Sequence, residues 1–154
     1  MKLWVLPDDG LAPLLKGIDS AQSSIDIMIF RFDRKDVESA LARAVTRGVA
    51  VRALVANVNK AGEDGLRQLE QRLLAAGVSV ARTADDLVRH HAKLMIVDRR
   101  NLYLLAFNLT SLDTERTRSF GLVTSNRTLV QETIKLFDAD TKRLPYTPRA
   151  RTLV

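Results

Sequence analysis

The sequence predicts an α/β fold in which a mixed, mostly parallel β-sheet is flanked by helices on both faces. Short apolar runs alternate with segments whose apolar residues recur at helical spacing, and this alternation is typical of parallel strands joined by crossover helices. In the second half of the chain, the apolar runs 92–97 and 101–107 are separated by only three residues. That spacing favours a hairpin and therefore adds antiparallel strands to the sheet.

The first half of the chain predicts the order βαβαβαβ. Strands are expected at residues 2–6, 24–32 and 49–55 and from residue 78 onwards. Helices are expected around residues 11–18, 37–45 and 66–74, where apolar residues recur at helical spacing. Residues 24–32 are apolar on both faces, as in a central strand. Asp33 precedes the second helix, while Gly48 and Gly77 end the second and third helices, because glycine adopts a left-handed conformation at low cost.

The second half of the chain places strands next to one another before a last helix. Residues 92–97 and 101–107 form the predicted hairpin, and residues 119–124 predict one more strand. Apolar residues at helical spacing over 129–137 predict the last helix. The hairpin is therefore the point at which the parallel pattern is expected to end.

One domain over residues 1–142 is expected, with residues 143–154 as a linker and the start of a second repeat. The hypothesis of a repeat rests on the similarity of residues 151–154 to residues 2–5, and it places a second copy near Arg151 of a longer protein. No apolar run approaches membrane-spanning length, and the N-terminal run is too short for a signal peptide. We expect a soluble chain and leave its compartment open.

The composition favours a polyanionic partner. The 154 residues carry a net charge of +6, with a sequence pI of about 10.1. Nucleic acid and an anionic membrane surface fit this charge equally well. The absence of cysteine excludes disulfides, thiol catalysis and thiolate metal sites. No pattern of metal ligands or of a phosphate-binding glycine loop is present, so we expect neither a metal nor a cofactor.

The two histidines of the chain, His90 and His91, stand together before the hairpin. For a single histidine, the ordinary interpretation is a ring at a strand edge with satisfied hydrogen bonds. However, His91 and Lys93 point to the same side of a strand, and Asp98 follows the strand end. A neutral imidazole can attack phosphorus, a lysine can neutralise phosphate oxygens, and a carboxylate able to return to the ring can hold its tautomer.

The spacing HxKxxxxD resembles the signature of the phospholipase D superfamily. The similarity extends to residues 18–30 and 40–52, which resemble the family's first helix and strand and the helix and strand that follow. The resemblance implies a phospholipase D-like domain and a metal-free mechanism through a phosphohistidine on His91. It implies that Lys93, Asp98 and Asn108 belong to the catalytic set, and that Lys93 and Asn108 bind phosphate, with Arg116 and Arg118 as nearby candidates.

The chain departs from the family pattern in the residues that support this set. Where the family has Gly-Ser-x-Asn, the chain has Leu105, Ala106, Phe107 and Asn108, and an acidic position of many members is matched by Ser119. The resemblance implies that the serine and asparagine position the histidine, lysine and phosphate. The losses at Leu105, Ala106 and Ser119 therefore indicate an asymmetric or weakened half-site.

The family's chemistry needs two facing motifs, and this chain has one. The second half-site is expected from a following domain or from a homodimer partner, and the changed supporting residues favour the following domain. The leading interpretation is an enzyme that hydrolyses or transfers a phosphodiester, most of all the phosphatidyl group of a phospholipid at an anionic membrane surface. Two alternatives stay open: a homodimeric, metal-independent nuclease of the same superfamily, and a non-catalytic module that binds phosphate, lipid or nucleic acid.

Overall fold

A computed structural model describes residues 1–57, 63–84, 86–87 and 89–146. The strands are β1 (Lys2–Leu6), β2 (Ser24–Ile29), β3 (Ala50–Val55), β4 (Ser79–Arg82), β5 (Leu94–Val97), β6 (Asn101–Leu105) and β7 (Ser119–Thr124). The helices are α1 (Ala12–Ser20), α2 (Lys35–Thr46), α3 (Glu63–Ala75), α4 (Ser111–Arg116) and α5 (Arg127–Thr141). Each predicted strand and helix is present, although the strands are shorter than predicted at several ends. Short α4 was not predicted, and the proposed repeat near Arg151 lies outside the described residues.

The sheet is mixed, as predicted, with the strand order β1-β7-β6-β5-β2-β3-β4. Only the β2–β3 and β3–β4 pairs are parallel among the described strands, so the predicted excess of parallel pairing is wrong. The reason is the placement of the hairpin. Strand β5 pairs antiparallel with β2, and β6, β7 and β1 continue outwards from it in antiparallel order. The crossover pattern therefore ends at β4.

Both faces of the sheet are buried, which explains why β2 is apolar on both sides. Helices α1, α2 and α3 cover one face, where Ile25, Ile27 and Ile29 are buried. Helix α5 covers the other face and buries Met28 together with Phe137. Strands buried on both faces bury nearly every side chain, and this is the pattern that the sequence of β2 predicts.

Asp26 interrupts the apolar pattern of β2 with a charge that is 1% exposed. Arg52 stands opposite it on β3 and donates two hydrogen bonds to its carboxylate, at 2.6 and 2.8 Å. The same guanidinium lies 3.1 Å from Asp138 and 5.0 Å from the ring centroid of Phe137, both on α5. Arg52 thus connects the sheet to α5.

Asp33 lies just before α2, as the sequence predicts, and its side chain does not cap the helix. The N-cap of α2 is Arg34, which makes no side-chain cap. Asp33 instead accepts hydrogen bonds from the backbone N–H and the hydroxyl of Ser111, at 2.7 and 3.2 Å. Its own N–H donates to the carbonyl of Leu109 at 2.9 Å. These contacts hold the segment after β2 against the start of α4, beside the chain that carries Asn108.

Removal of the Asp26 carboxylate should destabilise the protein strongly. Asp26→Ala leaves a buried guanidinium face without its main partner, and we expect a loss of about 3 kcal/mol in the free energy of unfolding, measured by urea denaturation. Asp19→Ala is the matched control, because its ion pair with Arg43 is exposed and should contribute less than about 1 kcal/mol. Equal losses for the two variants would contradict this assignment.

Candidate active site

His91 and Lys93 lie immediately before β5, at the sheet edge where β2 ends. The backbone carbonyl of Lys93 accepts a hydrogen bond from Leu105 at 3.1 Å, so the hairpin holds this segment in place. The ammonium nitrogen of Lys93 lies 3.1 Å from Nε2 and 3.3 Å from Nδ1 of His91. The structure therefore brings together the two residues that the sequence singles out first.

The Phe30 ring packs against both of these side chains, a contact that the sequence did not predict. Its ring, 4% exposed, meets the ring of His91 edge-on, with centroids 4.7 Å apart and planes at 74°. The Lys93 ammonium lies 5.6 Å from the Phe30 centroid. An aromatic ring attracts a cation to its face, and an edge-on contact with a second ring favours one orientation of that ring. Phe30 follows directly after β2, within the strand that the sequence predicts over residues 24–32.

The electrostatic environment favours the neutral form of His91. Partial burial lowers the pKa of His91 below its ordinary value of 6.5. The positive charges of Lys93, Arg89 and Arg31 lower this pKa further. Burial also lowers the pKa of Lys93, partly offset by the negative charge of Asp113. An imidazole with a lowered pKa keeps a free lone pair at neutral pH, which a nucleophile requires.

Asn108 is held by Asp113, a residue that sequence reasoning missed. One carboxylate oxygen of Asp113 accepts from the backbone N–H and the side-chain amide of Asn108, at 2.8 and 3.0 Å. The amide oxygen of Asn108 is buried and has no hydrogen-bond partner within the described residues. The signal for Asp113 was the spacing Thr110-x-x-Asp113, which resembles a capping box, and Thr110 does cap α4.

Asp98 is not a partner of the His91 ring, which corrects the expectation drawn from the sequence. It lies past the far end of β5, where its carboxylate accepts from the backbone N–H groups of Gln22, Ser23 and Ser24 at 3.1, 2.7 and 3.0 Å. Burial raises the pKa of Asp98, but these hydrogen bonds outweigh burial and hold the pKa below its ordinary value. Asp98 therefore anchors the turn before β2.

Neither of the two arginines predicted to bind phosphate contacts the His91 ring among the described residues. Arg118 donates to the carbonyl of Leu6 at 3.1 Å and pairs with Asp8, so its charge is engaged beside β1. Arg116 ends α4 in an exposed position, and no contact with His91 is found for it in the described part of the chain. Arg31 and Arg89, which the sequence did not single out, are the arginines whose charges act on the His91 ring.

The residues at the positions that depart from the family pattern contact the core or the backbone, and none of them contacts the His91 ring within the described residues. Leu105 is 7% exposed and packs in the core. Ala106 donates its N–H to the carbonyl of Phe120 at 3.2 Å, and the Ser119 hydroxyl donates to the carbonyl of Ala106 at 3.3 Å. Among the residues that the structure describes, no carboxylate lies within hydrogen-bonding distance of the His91 ring. The imidazole therefore lacks the orienting acid that the family pattern would place near Ser119.

His90 fits the ordinary interpretation of a histidine with a satisfied ring. Its Nε2 lies 2.8 Å from a carboxylate oxygen of Asp140, so the segment before β5 is tied to α5. The two residues help to line a pocket of about 530 Å³ that His91 also borders. The aliphatic side chains that line this pocket are Ala84, Leu87, Ala92, Leu136, Leu144 and Pro145.

The described residues contain neither a cluster of metal-binding side chains nor a helix that could span a membrane. No group of three or more histidine, cysteine, aspartate or glutamate side chains is arranged to hold a metal ion there. In the same residues, no helix combines the length and the apolar character needed to cross a bilayer.

Comparison with known proteins gives both a family and a fold. The sequence profile described as "Cardiolipin synthase, PLD-like domain" matches residues 14–141. Nuc from Salmonella typhimurium, described as a phospholipase D family member, superposes with a TM-score of 0.83 and 21% identity, covering 96% of this chain and 97% of its own. A sequence search of curated proteins found no match.

Two further solved structures show how widely the fold is used. A phosphatidylserine synthase from Haemophilus influenzae Rd KW20 superposes with a TM-score of 0.70 and 14% identity, covering 92% of this chain and 38% of its own. TrmBL2, described as an archaeal chromatin protein with a novel mode of DNA binding, gives 0.65 and 16%, covering 93% and 53%. At these identities the likeness establishes the shared fold.

Replacement of Asp98 should weaken the fold in a manner that depends on pH. Because the folded pKa of Asp98 lies below its ordinary value of 3.8, its ionised carboxylate stabilises the protein above that value. This stabilisation is lost as the pH falls through the folded pKa. We expect Asp98→Ala to cost about 1–3 kcal/mol near neutral pH by urea denaturation. The difference from wild type should shrink near pH ~3; a difference unchanged by pH would contradict the anchor role.

Proposed function

The chain belongs to the cardiolipin synthase, phospholipase D-like domain family, and we propose that it supplies one half-site of a phosphodiesterase whose nucleophile is His91. The observation that carries the proposal is the pair of His91 and Lys93, in contact with each other and resting against Phe30. The ring has a lowered pKa, and a cation lies within reach of any phosphate that the ring attacks. These are the two requirements of phosphoryl transfer to nitrogen.

The proposed cycle uses two histidines. A ring nitrogen of His91 attacks phosphorus, and the bond from phosphorus to the leaving oxygen breaks. The histidine of the second half-site gives its proton to that oxygen. Water or an alcohol, deprotonated by the same second histidine, then attacks the phosphohistidine and releases His91. Lys93 and the Asn108 amide, positioned by Asp113, would hold the non-bridging oxygens throughout.

The second half-site comes from a following domain or from a homodimer partner in this proposal. No carboxylate of the described residues contacts the His91 ring, and this supports two unequal halves, because a symmetric dimer would repeat the same loss. The substrate that we favour is the phosphatidyl group of a phospholipid, supported by the family description and by the likeness to a phosphatidylserine synthase. The net charge of +6 suits an anionic membrane surface as well.

A second candidate, a metal-independent nuclease, is supported by positive charge at the site itself. Arg31 and Arg89 stand beside the reacting ring, and a nucleic-acid backbone would meet these cations. The third candidate is a module that binds phosphate, lipid or nucleic acid without turnover. Leu105, Ala106 and Ser119 support it, since each replaces a residue of the family pattern.

Turnover should be independent of metal and dependent on His91. We expect hydrolysis of bis(p-nitrophenyl) phosphate in excess chelator, with His91→Ala lowering the rate by at least about a hundredfold. His90→Gln is the matched control and should keep measurable turnover, because the His90 ring contacts Asp140. Light scattering on the same sample reports whether two copies complete the site.

Parallel assays distinguish the three candidates. Release of headgroup from phosphatidylglycerol vesicles would support the phospholipid substrate, and cleavage of single-stranded DNA would support the nuclease. Binding to either without turnover would support the non-catalytic module. Turnover that survives in His91→Ala would contradict the assigned nucleophile.

The pH dependence of kcat/KM should reflect the lowered pKa of His91. The protonated ring cannot attack phosphorus, so activity should fall on the acid side with an apparent pKa below 6.5. Arg89→Gln removes one of the positive charges that lower this pKa and should move the acid limb towards 6.5. An acid limb above 6.5 in the wild-type protein would argue against His91 as the neutral nucleophile.

A further inference from the structure

Arg31 and Arg89, called the arginine pair below, both lie close to the ring of Phe30, and the charges of both act on His91. Each guanidinium carbon is 5.8 Å from the centroid of Phe30, the same ring that contacts His91 and Lys93. Both side chains are exposed. Within the described part of the chain, neither forms an ion pair. Other arginines of the described residues are each paired with a carboxylate: Arg34, Arg43, Arg52, Arg67, Arg72, Arg82 and Arg118.

The charges at this site exceed what one phosphodiester needs. A phosphodiester carries a single negative charge and two non-bridging oxygens, which Lys93 and the Asn108 amide would hold in the proposed cycle. The one carboxylate whose charge acts on Lys93 is Asp113, which is already bound to Asn108. Within the described residues no carboxylate forms an ion pair with either member of the arginine pair, and its charge disfavours the protonated form of the neighbouring His91. A second anion would relieve this repulsion.

We propose that the arginine pair binds a second phosphate group of the substrate, next to the phosphodiester that His91 attacks. Two guanidinium groups offer planar pairs of N–H donors, which match the oxygens of a phosphate better than they match a neutral alcohol or an apolar chain. This inference rests on the proposed function and names the substrate class for that site. The substrate is a phosphodiester with another phosphate close by, as in a nucleic-acid strand or in a phosphorylated headgroup.

Direct binding measurements test whether the arginine pair binds a second phosphate, and they do not require turnover. By calorimetry on the full chain, inorganic pyrophosphate should bind at least about tenfold tighter than inorganic phosphate. The double variant Arg31→Gln/Arg89→Gln should lose most of this preference, and Arg31→Lys/Arg89→Lys should restore part of it, because lysine keeps the charge but not the planar donors. Arg100→Gln is the matched control, an exposed arginine in the turn after β5, and should keep the preference.

Two binding results would overturn the proposal: equal affinities for the two anions in the wild-type protein, or a preference that survives in the double glutamine variant. Both arginines are exposed, so the variants should melt at the wild-type temperature, and circular dichroism confirms that each has folded. These binding measurements test the proposal even if the protein hydrolyses no phosphodiester. Failure of the proposed function and failure of this inference can therefore be told apart.

Turnover then identifies the source of the second phosphate. We compare thymidine 5′-(p-nitrophenyl phosphate) with its 3′-phosphorylated form, and phosphatidylglycerol with phosphatidylglycerol phosphate. The extra phosphate should raise kcat/KM in one of these series, mainly through a lower KM, and the gain should vanish in the double glutamine variant. A gain in the nucleotide series indicates a nucleic-acid strand, and a gain in the lipid series indicates a phosphorylated headgroup. Turnover without a gain in either series would refute the inference.

Discussion

The antiparallel pairing of β2 with β5 is the constraint on which the site depends. Its register sets Ile25 opposite Val97 and Met28 opposite Leu94. At one end of the pair, this register brings Phe30 to the segment that carries His91 and Lys93. At the other end it brings Asp98 to the backbone N–H groups before β2. A slip of one residue would turn every side chain to the opposite face and separate both sets of contacts at once.

The two ends of this pairing have opposite electrostatic characters. At the anchored end, a carboxylate is stabilised by backbone N–H groups, much as an anion is held in a backbone nest. At the end that carries His91, partial burial and the positive charges around the imidazole both lower its pKa, and the Lys93 ammonium lies beside the Phe30 ring. The fold therefore surrounds this imidazole with cations and favours its neutral form.

The sequence predicted the fold well because most of its strands and helices carry strong local patterns. The predicted excess of parallel pairing was wrong because the strand order depends on which strand the hairpin pairs with. No local sequence pattern specifies that partner. Likewise, Asp98 was expected at the ring from its spacing, but a strand of four residues carries it away. Phe30, Arg31 and Asp113 were missed for the same reason, since each reaches the site through tertiary contacts. Arg89 was missed although it lies only two residues before His91.

The positive charge around His91 favours one assignment of the nucleophile and the general acid to two unequal half-sites. A general acid must be protonated when the leaving oxygen departs, and a histidine with a lowered pKa is poorly protonated at neutral pH. A nucleophile has the opposite requirement. Within the proposed cycle, the half described here is therefore suited to attack phosphorus. The other half must supply the acid, and a carboxylate beside its histidine would keep that ring protonated. The absence of such a carboxylate near His91 in the described residues is, on this argument, a specialisation of this half and not merely a loss.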